Sequence, residues 1–421
     1  MTAALRRIAA PWVLPVEGPP LAEAAILIGP DGRILAIGPD SAVPTPPGCR
    51  SERLNGAVLL PGLINTHTHL ELTGFDGQVP EQDFPAWIRH LIAMKARRTP
   101  TEYLAAARKG IHDCWAAGVT TVADTGDSGA VIEALAALGG SGIAYQEVFG
   151  PDPERAESAL DGVTRQLGEL TRFTGPRVRL GISPHAPYSV SGLLYGLVSA
   201  YAAEHALPLA VHVAESEDES LLLARGSGGF ARSWESRAIP LPAPPGRSPV
   251  AWLDQHGVLG PRTLCIHVVR AGDADLEILA RRGAAMAHCP RSNRRHGHGA
   301  APLAHALRRG IRVGVGTDSV ASVTPLDLLA EVRAAREIAG LDPEAALRLA
   351  TLEAARALGL DREVGSLVPG KWGDLVALDL PGTVDASRLA GTVLSRVNDD
   401  VRLTLVGGRD VYRREPPVAV P

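Results

Sequence analysis

Residues 57–69 read Ala57-Val-Leu-Leu-Pro-Gly-Leu-Ile-Asn-Thr-His-Thr-His69. A continuous apolar run of this kind has the pattern of a strand buried on both faces. Residues two apart in a strand point the same way, so His67 and His69 offer two imidazoles to one point. The first β-rich run, at 58–65, is followed by seven more at 119–124, 143–149, 178–183, 209–213, 263–268, 284–288 and 311–317. Helix-period segments lie between them, among them 103–117, 131–138, 193–205, 273–282 and 303–309. Eight β–α alternations predict an α/β chain with a (β/α)8 TIM barrel; a doubly wound parallel sheet is the alternative.

The two ends differ from the middle. The apolar run 24–29, the turn Gly29-Pro-Asp-Gly32 and the run 33–38 have a hairpin signature, and 373–380, 401–406 and 410–413 repeat the style. The expectation is a small β-sandwich formed by both termini, residues 1–60 plus 360–421, flanking a metal-dependent barrel of 61–359. Residues 226–249 are rich in Gly, Pro, Ser and Arg and show no periodicity. They predict a long loop, either over the active-site face or as a surface insertion.

Composition excludes several classes. Of 421 residues, 45% are hydrophobic and 21% charged, which excludes whole-chain disorder. A net charge of −4 leaves no electrostatic footprint for nucleic acid. No apolar run approaches the length of a membrane span, and the first 15 residues do not read as a signal peptide. Cys49, Cys114, Cys265 and Cys289 are widely spaced with no C-x-x-C pair, which fits a reducing, cytoplasmic setting. A homodimer is left open. Only Lys95, Lys109 and Lys371 are lysines among 42 basic residues.

Barrel chemistry sits at the C-terminal ends of the strands. Those ends carry His67 and His69; Ser183-Pro-His185; His212 with Glu215; His267; His288-Cys-Pro-Arg291-Ser-Asn293; and Asp318-Ser319. His67, His69, His212 and Asp318 together predict a site for one divalent metal, zinc first, with iron(II) or manganese(II) as alternatives. His90, His112, His205, His256 and His305 fall in helical stretches and read as surface or helix-end groups. His296 and His298, within the Arg/Gly-rich stretch 294–299, read as a mobile loop, and His288 as core or site neighbour. The stretch Gly365-Ser-Leu-Val-Pro-Gly-Lys371 nearly matches a phosphate-binding loop, but Trp372 replaces the required Ser/Thr, and it reads as a turn.

The set Pro61-Gly-Leu-Ile-Asn-Thr-His67-Thr-His69, His212-x-x-Glu215, His267 and Gly316-Thr-Asp318-Ser319 resembles the amidohydrolase superfamily. Within it, the set is similar to the branch of mononuclear-metal purine, pyrimidine and triazine deaminases and chlorohydrolases. Ser183-Pro-His-Ala-Pro-Tyr188, Trp252–Leu259, Cys289-Pro-Arg-Ser-Asn293 and 316–322 look like the aminodeoxyfutalosine deaminases of menaquinone biosynthesis. The first of these is shared with S-adenosylhomocysteine/methylthioadenosine deaminases.

The resemblance implies a hydrolytic deaminase acting on a 6-aminopurine nucleoside, aminodeoxyfutalosine first, giving the 6-oxo product and ammonia. It assigns Glu215 to protonating the ring, Asp318 to taking a proton from water, and His267 to orienting the nucleophile. His185, Trp87, Arg291 and Ser319 are the expected contacts of a small heterocyclic substrate. The alternatives are S-adenosylhomocysteine/methylthioadenosine deamination, guanine or cytosine deamination, and triazine dechlorination; a degenerate barrel scaffold is the non-enzymatic one. A binuclear amide hydrolase of this superfamily would place a carbamylated lysine near the end of strand four, where this chain has Ser-Pro-His185.

Overall fold

In the computed structural model, which describes residues 5–80, 83–242 and 246–414, the apolar run at 57–69 divides between two sheets. Ala57–Pro61 joins a sheet built from the termini, while Leu63–Thr68 (β1) opens the barrel. Gly62 marks the change, and a Cβ there would lie 2.2 Å from the Thr120 side chain. Every residue of 57–68 is buried, so periodicity could not show the boundary.

The barrel continues with Val119–Gly126 (β2), Gly142–Val148 (β3), Val178–Pro184 (β4), Leu209–Val213 (β5), Thr263–His267 (β6), Ala285–His288 (β7) and Val313–Val315 (β8). Each strand pairs in parallel with the next in chain order. The ring is nearly closed. Thr68 pairs in parallel with Asp318, and the N–H groups of Thr317 and Asp318 both lie 3.1 Å from the His67 carbonyl. Asn65 clamps the seam, accepting from Thr317 N at 3.1 Å and donating to its hydroxyl at 2.8 Å.

β8 is shorter than the predicted 311–317 run: Gly316 N still bonds the His288 carbonyl of β7, but Thr317 and Asp318 turn to the His67 carbonyl of β1. At Gly316 a Cβ would sit 2.7–2.8 Å from His67 backbone atoms, so only glycine fits.

The terminal strands form one eight-stranded mixed sheet. Its path runs Arg409–Arg413, Val401–Val406, Leu375–Asp379, Ala57–Pro61, Arg6–Val13, Leu21–Ile28 and Ile34–Pro39, with Arg50–Arg53 also paired to Arg6–Val13. Arg6 ties the two ends of the chain together, bonding Glu52 at 2.7 Å and also Asp410. Lys371 bonds Ser366 at 2.5 Å and Glu17 at 3.2 Å, so this lysine serves the junction with the N-terminal segment.

Two helices roof the C-terminal end of the barrel. Phe84–Lys95 (α1) starts on the Asp83 cap, whose carboxylate accepts from Ala86 N at 2.9 Å. Gly228–Glu235 (α2) falls inside the expected loop 226–249 and corrects that expectation. It is only two turns long, too short for a periodic signal, yet it buries Phe230, Ala231 and Trp234. Residues 243–245 of that stretch lie outside the described residues. Among the described residues no helix is long and apolar enough to cross a membrane.

Candidate active site

His67, His69 and His212 converge at the ends of β1 and β5. One ring nitrogen from each lies within 4.8 Å of the other two, and the His67 ring is 4.7 and 4.9 Å from the other two rings. Two of the imidazoles are oriented from behind. His69 Nδ1 donates to the Thr125 carbonyl at 2.8 Å, and His212 Nδ1 donates to the His185 carbonyl at 3.0 Å. Each leaves its Nε2 lone pair facing the cluster, the arrangement metal-bound histidines adopt.

Neither ring nitrogen of His67 has a hydrogen-bond partner, though the side chain is buried. An orphaned polar pair in the core is costly unless something else satisfies it. Burial holds the His67 imidazole far below its ordinary range, and burial likewise lowers His69 and His212. Neutral imidazoles are the form a metal requires. The donor set therefore fits a divalent ion, and zinc is suited to imidazole nitrogen.

Asp318 reaches the same point from the barrel seam. Its Oδ1 is 3.7 Å from His67 Nε2 and 3.6 Å from His69 Nε2. Ser292 donates to Oδ2 at 2.5 Å and the Ser319 N–H to Oδ1 at 2.7 Å. Burial pushes this carboxyl up, but His69, His267 and Ser292 outweigh it and keep its pKa below the ordinary value. Ala214, His267, Val268 and Asp318 all have φ between 52° and 71°. Such left-handed backbone is rare outside glycine and clusters where surrounding structure enforces it. Here it occurs at three strand ends of one site.

Glu215 follows β5 and is buried. Its Oε1 is 3.5 Å from His267 Nε2 and 3.5 Å from His298 Nε2. Burial raises this carboxyl, yet the two imidazoles overcome it and hold Glu215 well below the carboxylate range. His267 is set in turn by Asn293, whose Oδ1 accepts from its Nδ1 at 2.9 Å.

These groups open into a cavity of about 660 Å³, whose wall includes the expected His185, Trp87 and Ser319. His185 Nδ1 bonds the Ser189 hydroxyl at 2.8 Å, and its Nε2 is 3.9 Å from Glu147 Oε1. The Trp87 indole N–H is buried without a partner. Arg291 does not line the cavity. Its backbone N–H bonds Glu331 at 2.9 Å and its guanidinium lies 3.3 Å from the Pro325 carbonyl and 3.6 Å from Glu331. Its guanidinium is turned to the buried Glu331, and Arg291 is not among the residues lining the cavity, where a substrate contact was expected of it.

Several site groups gave no adequate sequence signal. His298 is buried against Phe84, and His296 packs edge-on against Trp87, where a mobile loop was expected. Glu219, in the acidic run 215–219, is fully buried and accepts from Ala214 N and Glu215 N, both at 2.8 Å. Burial pushes its carboxyl up to about 8. Lys95 lies far from any strand end in sequence, but α1 carries its ammonium to the cavity wall, 2.9 Å from Glu71 and 2.7 Å from Asp127. His288 is buried beside Asn293, whereas His112, His205 and His305 are exposed.

Comparison with known proteins follows the same lines. A family model described as the amidohydrolase family matches residues 58–411. The chain is 31% identical over 418 residues to a 5-methylthioadenosine/S-adenosylhomocysteine deaminase of Symbiobacterium thermophilum, covering 95% of this chain and 92% of that one. It is 34% identical over 323 residues to an aminodeoxyfutalosine deaminase of Deinococcus radiodurans, covering 73% and 75%. A zinc-bound adenosine deaminase from Xanthomonas campestris superposes with a TM-score of 0.83 at 25% identity, over 97% of this chain and 92% of that chain.

Proposed function

The chain belongs to the amidohydrolase family, and from that premise we propose that it deaminates adenine nucleosides altered at the 5′ position, with 5′-methylthioadenosine and S-adenosylhomocysteine as the first substrates. The observation that carries this reading is the similarity to the Symbiobacterium deaminase across nearly the whole of both chains. The order reverses the expectation from short motifs. Those motifs surround the metal and the purine ring, and they carry little about the substituent.

In this reading His67, His69, His212 and Asp318 hold one divalent ion. Such an ion acidifies water enough to supply a nucleophile near neutral pH. Asp318 takes the proton of the attacking water on Oδ1, the oxygen that faces His67 and His69. Glu215 delivers a proton to ring N1, which removes the aromatic resistance to attack at C6, and the proton held on Asp318 passes to the departing amine. Because the flanking imidazoles favour the ionised form, Glu215 takes the proton it delivers from solvent, and it recovers one from the C6 hydroxyl as the 6-oxo group forms. His267 orients the nucleophile, while His185 and Trp87 contact the purine or sugar. The partnerless Trp87 N–H is a donor for an acceptor on the substrate. Ammonia leaves and a 6-oxopurine remains.

Aminodeoxyfutalosine is the second reading, favoured by the 34% identity to the Deinococcus protein. Ammonia release by zinc-loaded protein separates the two. We expect kcat/KM for 5′-methylthioadenosine or S-adenosylhomocysteine to exceed that for guanine and cytosine by at least about 100-fold. A higher value for aminodeoxyfutalosine selects the second reading, and a preference for guanine, cytosine or a chlorotriazine overturns both.

A further inference from the structure

Oε1 of Glu215 is met from two sides by imidazoles of different origin. His267 comes from the end of β6, and His298 comes from the stretch after β7. His298 Nε2 is buried and has no hydrogen-bond partner, and Glu215 Oε1 at 3.5 Å is the acid it faces. Its ring is held from the other side by Phe84 of α1, edge-on with centroids 4.6 Å apart. Its backbone N–H bonds the Asn293 carbonyl at 2.9 Å, while the Asn293 side chain accepts from His267 Nδ1. Asn293 thus sets both imidazoles that flank one carboxylate oxygen.

We propose that His298 is a positioning residue for Glu215: its Nε2–H anchors Oε1, so that Oε2 is the oxygen presented to the substrate ring. This rests on the reading of Glu215 as the proton-transfer group. A carboxylate on a flexible side chain can present either oxygen, and productive proton transfer requires one of them at hydrogen-bond distance from the ring nitrogen. An Nε2–H of His298 on Oε1, with the His267 ring packed on the other side of that oxygen, limits this rotational freedom. The charged and titratable groups around Glu215 include His185 and Tyr188 after β4, His212 at β5, Glu219 just beyond it, His267 at β6, His296 and His298 after β7, and Asp318 at the seam. Of these, His267 and His298 approach Oε1 itself, each at 3.5 Å. The arrangement also couples the acid to the cavity wall, because the Phe84 ring that backs His298 begins the helix carrying Trp87.

The test separates anchoring from packing. His298→Phe keeps an aromatic ring against Phe84 and removes the donor, while His298→Gln keeps an N–H donor of similar reach. With zinc-loaded protein and 5′-methylthioadenosine, His298→Phe is expected to lower kcat about 100-fold with KM changed by less than about threefold. Zinc content should be unchanged. His298→Gln should recover at least about one tenth of wild-type kcat. His298→Ala supplies the same comparison should the larger ring not be accommodated. Wild-type kcat in the Phe or Ala variant overturns the proposal, as does a Gln variant no better than either. An inactive wild type in the same assay marks failure of the proposed function itself and overturns both, whereas an active wild type with active variants overturns the anchoring role alone.

Discussion

At the scale of single residues, what distinguishes this site is the second partner of each functional group. His69 and His212 each spend one ring nitrogen on a backbone carbonyl, and Asp318 is held by Ser292 and by the Ser319 N–H. Glu215 is different, because both of its close partners belong to the site and none to the cluster of candidate ligands. Replacement of Glu215 by Gln should therefore leave the metal in place and stop proton delivery. We expect kcat to fall about 10²–10⁴-fold with zinc content unchanged by elemental analysis. Turnover close to wild type would show that another group carries the proton. The candidate ligands could be picked out from side-chain type and strand-end position, and Glu215 from its spacing to His212 together with the family resemblance. His298 and Glu219 were not, since a histidine in an Arg/Gly stretch and an acid in an acidic run both look solvated until the chain is folded.

At the scale of elements, α1 and α2 turn a barrel end into an enclosed cavity. Tyr188 stacks on Phe230 with centroids 4.1 Å apart, and the Trp234 indole N–H bonds the Tyr188 carbonyl at 2.9 Å. Phe84 meets both Tyr188 and Phe230 edge-on, so the two helices and the loop after β4 share one aromatic wall. Phe230→Ala opens that wall without touching the metal or the proton-transfer groups. The expected result is a loss of about tenfold in kcat/KM, appearing mainly in KM, in steady-state assays with the preferred nucleoside. A loss confined to kcat would place Phe230 in the chemistry instead. The β–α alternation was readable because eight apolar runs recur between helical patterns. The two-turn α2 was not, because its amphipathic face is too short to repeat and only its burial against Tyr188 and α1 defines it.

At the scale of the whole molecule, two closures matter. The first joins β1 to β8 and brings Asp318 to the histidines. Because a Cβ at Gly316 would strike the His67 backbone, Gly316→Ala should cost about 1–3 kcal/mol, the usual range for overpacking, and should lower zinc affinity. Denaturant unfolding together with a zinc titration reads both, and unchanged affinity would mean that the seam does not set the metal site.

The second closure joins the chain ends through Arg6, Glu52 and Asp410. Burial raises the carboxyls of Glu52 and Asp410, but hydrogen bonds from Arg6 and Arg413 outweigh it, so both pKa values lie below their ordinary ones. Depressed folded-state pKa values give stability that is present above the unfolded values, near 4–4.5, and is lost as pH falls through the folded values. Arg6→Met should thus destabilise by about 2 kcal/mol at pH 7 and by progressively less below pH 4. A pH-independent difference in chemical denaturation would assign the loss to packing.

By itself the sequence determined the strand–helix rhythm, the gathering of both termini into a separate β unit, and the polar groups at the strand ends, because each depends on local pattern or on residue type; that this unit is one mixed sheet was decided by the fold. Tertiary structure alone decided which distant groups face one another. Asn65 finds Thr317, Asn293 sets His267 and His298, Lys95 reaches Glu71 and Asp127, and Arg291 turns to Glu331. The reason is physical. A buried polar atom takes whatever partner closure of the barrel brings within hydrogen-bond reach, and that choice depends on positions in space that no spacing along the chain records.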